Sequence, residues 1–177
     1  MRVISGRYKG KNIMGFDVLG TRPTMDRVKE SIFSMIQNYL KDSICLDLFA
    51  GSGSLGIEAL SNGASECYFV ENSSEIYPIL EKNLLGIDNY SLMKKDFRDA
   101  LDFFVRNNVV FDVIFLDPPY KMNLINGILD FICKNHILRA NGIVVCEFEF
   151  EPVLCNCLEL IKSREYGSKK VYIYKLI

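Results

Sequence analysis

Histidine occurs once among the 177 residues, and no apolar run approaches the roughly 20 residues needed to span a bilayer. The opening "MRVISGRYKG" also lacks an apolar core of signal-peptide length. A soluble, cytoplasmic protein is therefore expected. Internal repeats and low-complexity linkers are missing too, and the length suits one well-buried domain better than two. The expectation is a single domain over 1–177, with a basic arm at 1–23 and a helix plus core at 24–177.

With so little histidine, the six cysteines are poor material for zinc. Cys155 and Cys157 are separated by one residue, too close for the usual ligand spacing. Cysteines in apolar segments such as "ICLDLF" and "IVVCEF" read as buried, reduced thiols rather than a secreted disulfide framework.

Net charge is nearly absent, at −1, yet it is unevenly placed. Residues 1–30 carry seven basic side chains (Arg2, Arg7, Lys9, Lys11, Arg22, Arg27, Lys29) against three acids (Asp17, Asp26, Glu30). An anionic partner could dock at that end.

What is present is a regular alternation. The first 20 residues, punctuated by Gly6, Gly10, Gly15 and Gly20, read as hairpin-like material. From Thr24, read as an N-cap, Val28, Ile32, Met35, Ile36 and Leu40 recur at helical spacing. Then come strand "ICLDLF", a helix closed by Gly63, strand "ECYFVE", a helix from Ser74, strand "SLMKKD", helix "FRDALDFFVRN", strand "FDVIFL", helix "LINGILDFICKN" and strand "GIVVCEFE". This is an α/β, doubly wound, mostly parallel sheet. "KKVYIYKL" is expected to add antiparallel at its end.

Ligands in such sheets sit beyond the carboxyl ends of the strands. The first strand delivers "DLFAGSGSLG", in which Gly51, Gly53 and Gly56 fit a glycine-rich turn opening a helix. Glu71, 20 residues after Gly51, is placed to accept from both hydroxyls of a ribose. Asp96 could accept from an adenine amine with Phe97 beside the ring, or cap the following helix. These features fit either a nicotinamide cofactor or S-adenosylmethionine. Asp47 separates them, because a carboxylate there repels a pyrophosphate but suits a sulfonium and an amino group.

The fourth strand runs into "DPPY", residues 117–120. A residue before proline is kept extended, and prolines contribute carbonyls without N–H groups. Asp117, the carbonyls of Pro118 and Pro119, and the Tyr120 ring make a seat for a planar base bearing an amino group. Hydrogen bonds from that amine would aim its lone pair at a methyl donor, so positioning carries the rate and no nucleophilic cysteine or histidine dyad is required.

Together these segments resemble class I S-adenosylmethionine-dependent methyltransferases, and specifically the RsmD family, bacterial enzymes that methylate N2 of a guanine in 16S ribosomal RNA. "RPTMDRVKESIF" is the most family-specific stretch. The resemblance implies that Asp47, Phe49, Gly51, Ser52 and Gly53 hold the methionine part of S-adenosylmethionine. It gives Glu71 and Asn72 the ribose, and Asp96 and Phe97 the adenine. Asp117, Pro118, Pro119 and Tyr120 would take the guanine. Arg22 and Thr24 would lie in a loop closing over the site, with Arg7, Lys9 and Lys11 meeting RNA phosphates. The implied partner is 16S ribosomal RNA in the small subunit or its assembly intermediate, met by a monomer. Readings of other kinds are an adenine-N6 methyltransferase, an NAD-dependent oxidoreductase, and a catalytically silent assembly factor.

Overall fold

The computed structural model describes residues 1–15, 22–118, 124–148, 156–167 and 169–177, without the side chains of 22–25. Residues 1–14 fold back as a hairpin, with Arg2 bridged to Asn12 and Ile13 N donating to the Met1 carbonyl at 2.9 Å. Helix α1 (Arg22–Ile36) begins two residues before the expected Thr24 cap. Arg22 and Thr24 therefore belong to its first turn rather than to a loop, because Pro23 is tolerated where N–H groups have no intrahelical partner.

The remaining elements are β1 (Ile44–Asp47), α2 (Ser54–Ser61), β2 (Glu66–Val70), α3 (Tyr77–Asn83), β3 (Tyr90–Met93), α4 (Phe97–Arg106), β4 (Phe111–Leu116), α5 (Leu124–Asn135), β5 (Leu138–Phe148), β6 (Leu158–Tyr166) and β7 (Lys169–Leu176). Helix α3 starts later than Ser74, after a turn in which Tyr77 N donates to the Ser73 carbonyl. Pro78 still falls in its first turn. Gly63 follows α2 with φ +105°, the left-handed stop expected of it.

Among the described residues the sheet has seven strands in the order β3-β2-β1-β4-β5-β7-β6. Pairings from β3 through β5 are parallel, and those of β7 with β5 and β6 are antiparallel. The expected last strand is present but does not close the sheet. It inserts between β5 and β6, so β6, unread in the sequence, forms the edge. β6 is buried only in part, and its charged residues blur the period that marks a strand.

Strand alternation sorts the core into two faces. Cys45, Val113, Phe115, Ile143, Val145, Val171 and Ile173 pack with α1, α2 and Leu80 and Leu84 on one face. Leu46, Ile114, Leu116, Val144, Cys146 and Tyr172 pack with α4 and α5 on the other. Cys45, Cys67 and Cys146 are buried and outside any disulfide, as expected, and burial pushes the Cys45 thiol up to about 12. The reduced-thiol expectation fails for Cys133 and Cys157, which form a disulfide between α5 and the residue preceding β6. Covering one face of the same sheet edge brings these two segments together. Cys155 lies outside the described residues.

No helix among the described residues is long and apolar enough to cross a membrane.

Candidate active site

The strand order reverses between β1 and β4, so a crevice opens there at the carboxyl ends of the strands. The loop after β1 is built for close approach. Gly53 lies at φ +80°, and a Cβ there would stand 2.6 Å from Leu80 Cδ1. A Cβ on Gly56 would stand 2.3 Å from Phe69 Cε1, so this glycine seats α2 against β2.

Asp47 ends β1 at 2% exposure, with Oδ2 accepting from Gly56 N at 3.0 Å. Burial, with some help from Glu71, pushes its carboxyl up to about 7, against the opposing hydrogen bond from Gly56. Glu71, just past β2, ties down the loop: Oε2 accepts from Gly51 N at 2.9 Å and Oε1 from Ser73 N at 2.7 Å. Each oxygen retains a lone pair for a further donor. Asn72 beside it is exposed. Ser52 is buried, and its carbonyl accepts from Asn83 Nδ2 at 2.9 Å.

Asp96 caps α4, with Oδ1 accepting from Arg98 N at 2.9 Å. The Phe97 ring packs on Phe49 at 5.2 Å between centroids, and the Arg98 guanidinium lies 4.5 Å from the Phe97 centroid. The two rings thus join the ends of β1 and β3 on one wall.

Asp117 follows β4 next to Asp47's strand, where Asp47 pairs in register with Phe115. Burial pushes the Asp117 carboxyl up to about 7; Glu147 and Asp47 add to the rise, and Lys169 opposes it. Two carboxyls poised near neutrality on adjacent strands form the electrostatic centre of the crevice. Pro118 is buried; Pro119 and Tyr120 lie outside the described residues, as do the side chains of Arg22 and Thr24.

The arm's cations divide into two sets. Arg7 pairs with Asp88 at 2.9 Å, and Lys11 Nζ donates to the Leu85 carbonyl at 2.6 Å. Lys9 instead lines a groove of about 240 Å³ with Arg2, Arg27, Asp26 and Glu30, between the arm and α1.

Sequence reasoning missed three polar residues that hold this frame. Lys29 (4% exposed) and Glu58 (0%) form a buried ion pair at 3.1 Å. Lys29 also donates to the Arg2 carbonyl at 2.7 Å and Ser54 Oγ at 3.2 Å, while Glu58 accepts from Ile4 N and Ser5 N at 3.0 Å. Asn83 joins the Ser52 carbonyl of the glycine loop to the Met14 backbone. A signal existed for the pair. Glu58 is the only charge in "LFAGSGSLGIEALSNGAS", and Lys29 stands one turn before Phe33 in the buried stripe of α1.

Known proteins are similar to this chain along nearly its whole length. Residues 1–175 match the family described as Conserved hypothetical protein 95. The Haemophilus influenzae ribosomal RNA small subunit methyltransferase D is 39% identical over 180 residues, covering 99% of this chain and 93% of its own. The Bacillus subtilis "Putative rRNA methyltransferase YlbH" is also 39% identical, over 99% of this chain and 98% of that protein. Among solved structures, "Putative methyltransferase yhhF" from Escherichia coli superposes with a TM-score of 0.85 at 30% identity, covering 99% and 97% of the two chains. A crystallised methylase from Haemophilus influenzae gives 0.80 at 32% identity, covering 99% and 98%. The crevice with its glycine loop and paired carboxyls sits on a class I methyltransferase fold, and the chain belongs to the Conserved hypothetical protein 95 family, the RsmD methyltransferases.

Proposed function

We propose that this protein transfers the methyl group of S-adenosylmethionine to the exocyclic N2 amine of a guanine in 16S ribosomal RNA, within the small subunit or its assembly intermediate. The observation that carries the reading is the pair of crowded carboxyls, Asp47 and Asp117, at the ends of the neighbouring strands β1 and β4.

The donor set fits the cofactor. A carboxyl held up to about 7 by burial gains by ionising beside a cation, and Asp47 is such a group. Bound S-adenosylmethionine supplies a methyl group already activated on a cationic sulfonium. The chain's part is to position and to manage a proton. Asp47 and the turn from Phe49 to Gly53 hold the methionine end, Glu71 offers both oxygens to the ribose with Asn72 alongside, and Asp96, Phe97 and Phe49 wall the adenine.

Asp117 accepts an N–H of the target amine, which turns the nitrogen lone pair toward the methyl group. On transfer the methyl–sulfur bond would break as the N–C bond forms, and the nitrogen, made acidic, would give its proton to the Asp117 carboxylate; a group near 7 is matched to that task at neutral pH. Pro118 to Tyr120 complete the seat for the base. Phosphates of the RNA meet the exposed side of the arm at Lys9, with Arg7 and Lys11 at its edge and the first turn of α1, Arg22 and Thr24, nearby.

Labelled S-adenosylmethionine and small subunits from cells lacking the enzyme provide the test, with the product nucleoside identified by mass. N2-methylguanosine is the expected product. N6-methyladenosine would replace this reading with the adenine one, and binding without transfer to any ribosomal substrate would favour an assembly factor.

A further inference from the structure

The row of charges at the carboxyl edge extends beyond Asp117. In β5, Ile143 and Val145 face the α1 and α2 side, and alternation brings Glu147 to that same face. In β7, Val171 and Ile173 share it, and alternation places Lys169 there too. The same rule carries Asp47 past Cys45 and Asp117 past Phe115. Leu116 is in register with Cys146, so Asp117 and Glu147 are next to each other across parallel strands. Lys169 Nζ closes on Glu147 Oε1, and both side chains are largely buried, Glu147 at 11% exposure.

Read across four adjacent strands, β1, β4, β5 and β7, the edge presents Asp47, Asp117, Glu147 and Lys169. Asp47 is claimed by the cofactor. The other three present an acceptor, an acceptor and a donor, in that order.

This order is complementary to one base. Along its Watson–Crick edge, guanine presents the N2 amine as donor, N1–H as donor and O6 as acceptor. Adenine presents N6 as donor and then N1 as an acceptor, which would face a carboxylate. We propose that Glu147 and Lys169 are the specificity-determining residues of this enzyme, Glu147 accepting from guanine N1–H and Lys169 donating to O6 while Asp117 holds N2.

The inference rests on the guanine-N2 reading above and adds the groups that enforce it. A purely structural pair offers a weaker explanation of the placement. Glu147 adds a third carboxyl to a crowded edge, and its ion pair with Lys169 offsets this only in part, because Asp117 stays raised with Glu147 outweighing Lys169. A base that donates twice and accepts once repays it.

The test compares two RNAs assembled into small subunits, one with guanosine at the mapped target and one with 2-aminopurine, which keeps the amine but lacks N1–H and O6. Wild-type kcat/KM should fall about 100-fold on 2-aminopurine. Glu147→Leu and Lys169→Met should each lose about 10- to 100-fold on guanosine and change less than about threefold on 2-aminopurine. Glu147→Gln, which keeps an acceptor, should recover most of the guanosine rate. Cofactor affinity by calorimetry reports whether each variant is folded.

Equal loss on both RNAs would make the pair structural and overturn the proposal. Should the variants fail to fold, equal wild-type rates on the two RNAs overturn it just as directly. If wild-type protein methylates no guanine in any subunit, the underlying reading falls and takes this one with it, a result distinguishable from either of the others.

Discussion

Two regions bury charge in opposite ways. At the junction of the arm, α1 and α2, Lys29 and Glu58 neutralise each other, and their remaining valences go to Arg2, Ser54, Ile4 and Ser5. At the carboxyl edge, Asp47 and Asp117 stand among further carboxyls and are pushed up to about 7 by burial. Satisfied charge specifies how segments assemble. Like charges crowded together in a crevice store free energy that a cationic or proton-donating ligand can release. For these groups burial alone does not distinguish structure from function; the difference is that Glu58 is neutralised by Lys29, whereas Asp47 and Asp117 are left beside other carboxyls.

The sharpest way to break this contrast is Asp117→Ala. Methyl transfer should fall by about 1,000-fold or more while cofactor affinity stays within about threefold, measured by single-turnover transfer and calorimetry. Comparable loss of both would make Asp117 part of the cofactor site instead.

Next in size is Lys29→Met. It strands the buried Glu58 carboxylate, so unfolding in urea should show a loss of about 3–5 kcal/mol. A loss under about 1 kcal/mol would mean that the arm carries little of the fold.

The carboxyl edge makes a pH prediction of opposite character. Because the folded values of Asp47 and Asp117 lie above their unfolded ones, the folded state holds more protons between the ordinary carboxylate range and about 7. These groups stabilise the unliganded protein at the acid end of that window, and the contribution is lost as pH rises through about 7. Cofactor affinity should move the other way, strengthening about tenfold from pH 6 to pH 8 as Asp47 ionises beside the cation. Calorimetric titrations at several pH values check this, and Asp47→Asn should flatten the profile. A flat wild-type profile would remove Asp47 from the cationic end of the cofactor.

The smallest effects belong to the exposed arm. Arg7→Glu breaks a solvated pair with Asp88 and should cost no more than about 1 kcal/mol of stability. Lys9→Glu should weaken RNA binding and make its salt dependence shallower by about one phosphate contact. An unchanged salt slope would take Lys9 off the RNA surface.

Much of the site could be read locally. Asp47 ends a strand whose apolar period announces its own end, Gly51, Gly53, Glu71, Asp96 and Asp117 each follow such a strand, and the structure brings them to one edge. The helix N-cap at Asp96 and the left-handed stop at Gly63 follow equally from short-range chemistry. Thr24 shows the limit of that logic. It resembles a cap, but Pro23 before it starts the helix earlier.

By itself, then, the sequence determined the alternation of strands and helices, the glycine turn and the acids at the strand ends, because these depend on residues within one element or its flanking turn. Only the tertiary structure decided that β7 inserts between β5 and β6, that Cys133 meets Cys157, that Lys29 meets Glu58, and that Glu147 and Lys169 join the row beside Asp117. Those pairings link residues far apart in the chain. Their partners are selected by sheet order and by which face each strand turns inward, and no local period carries that information.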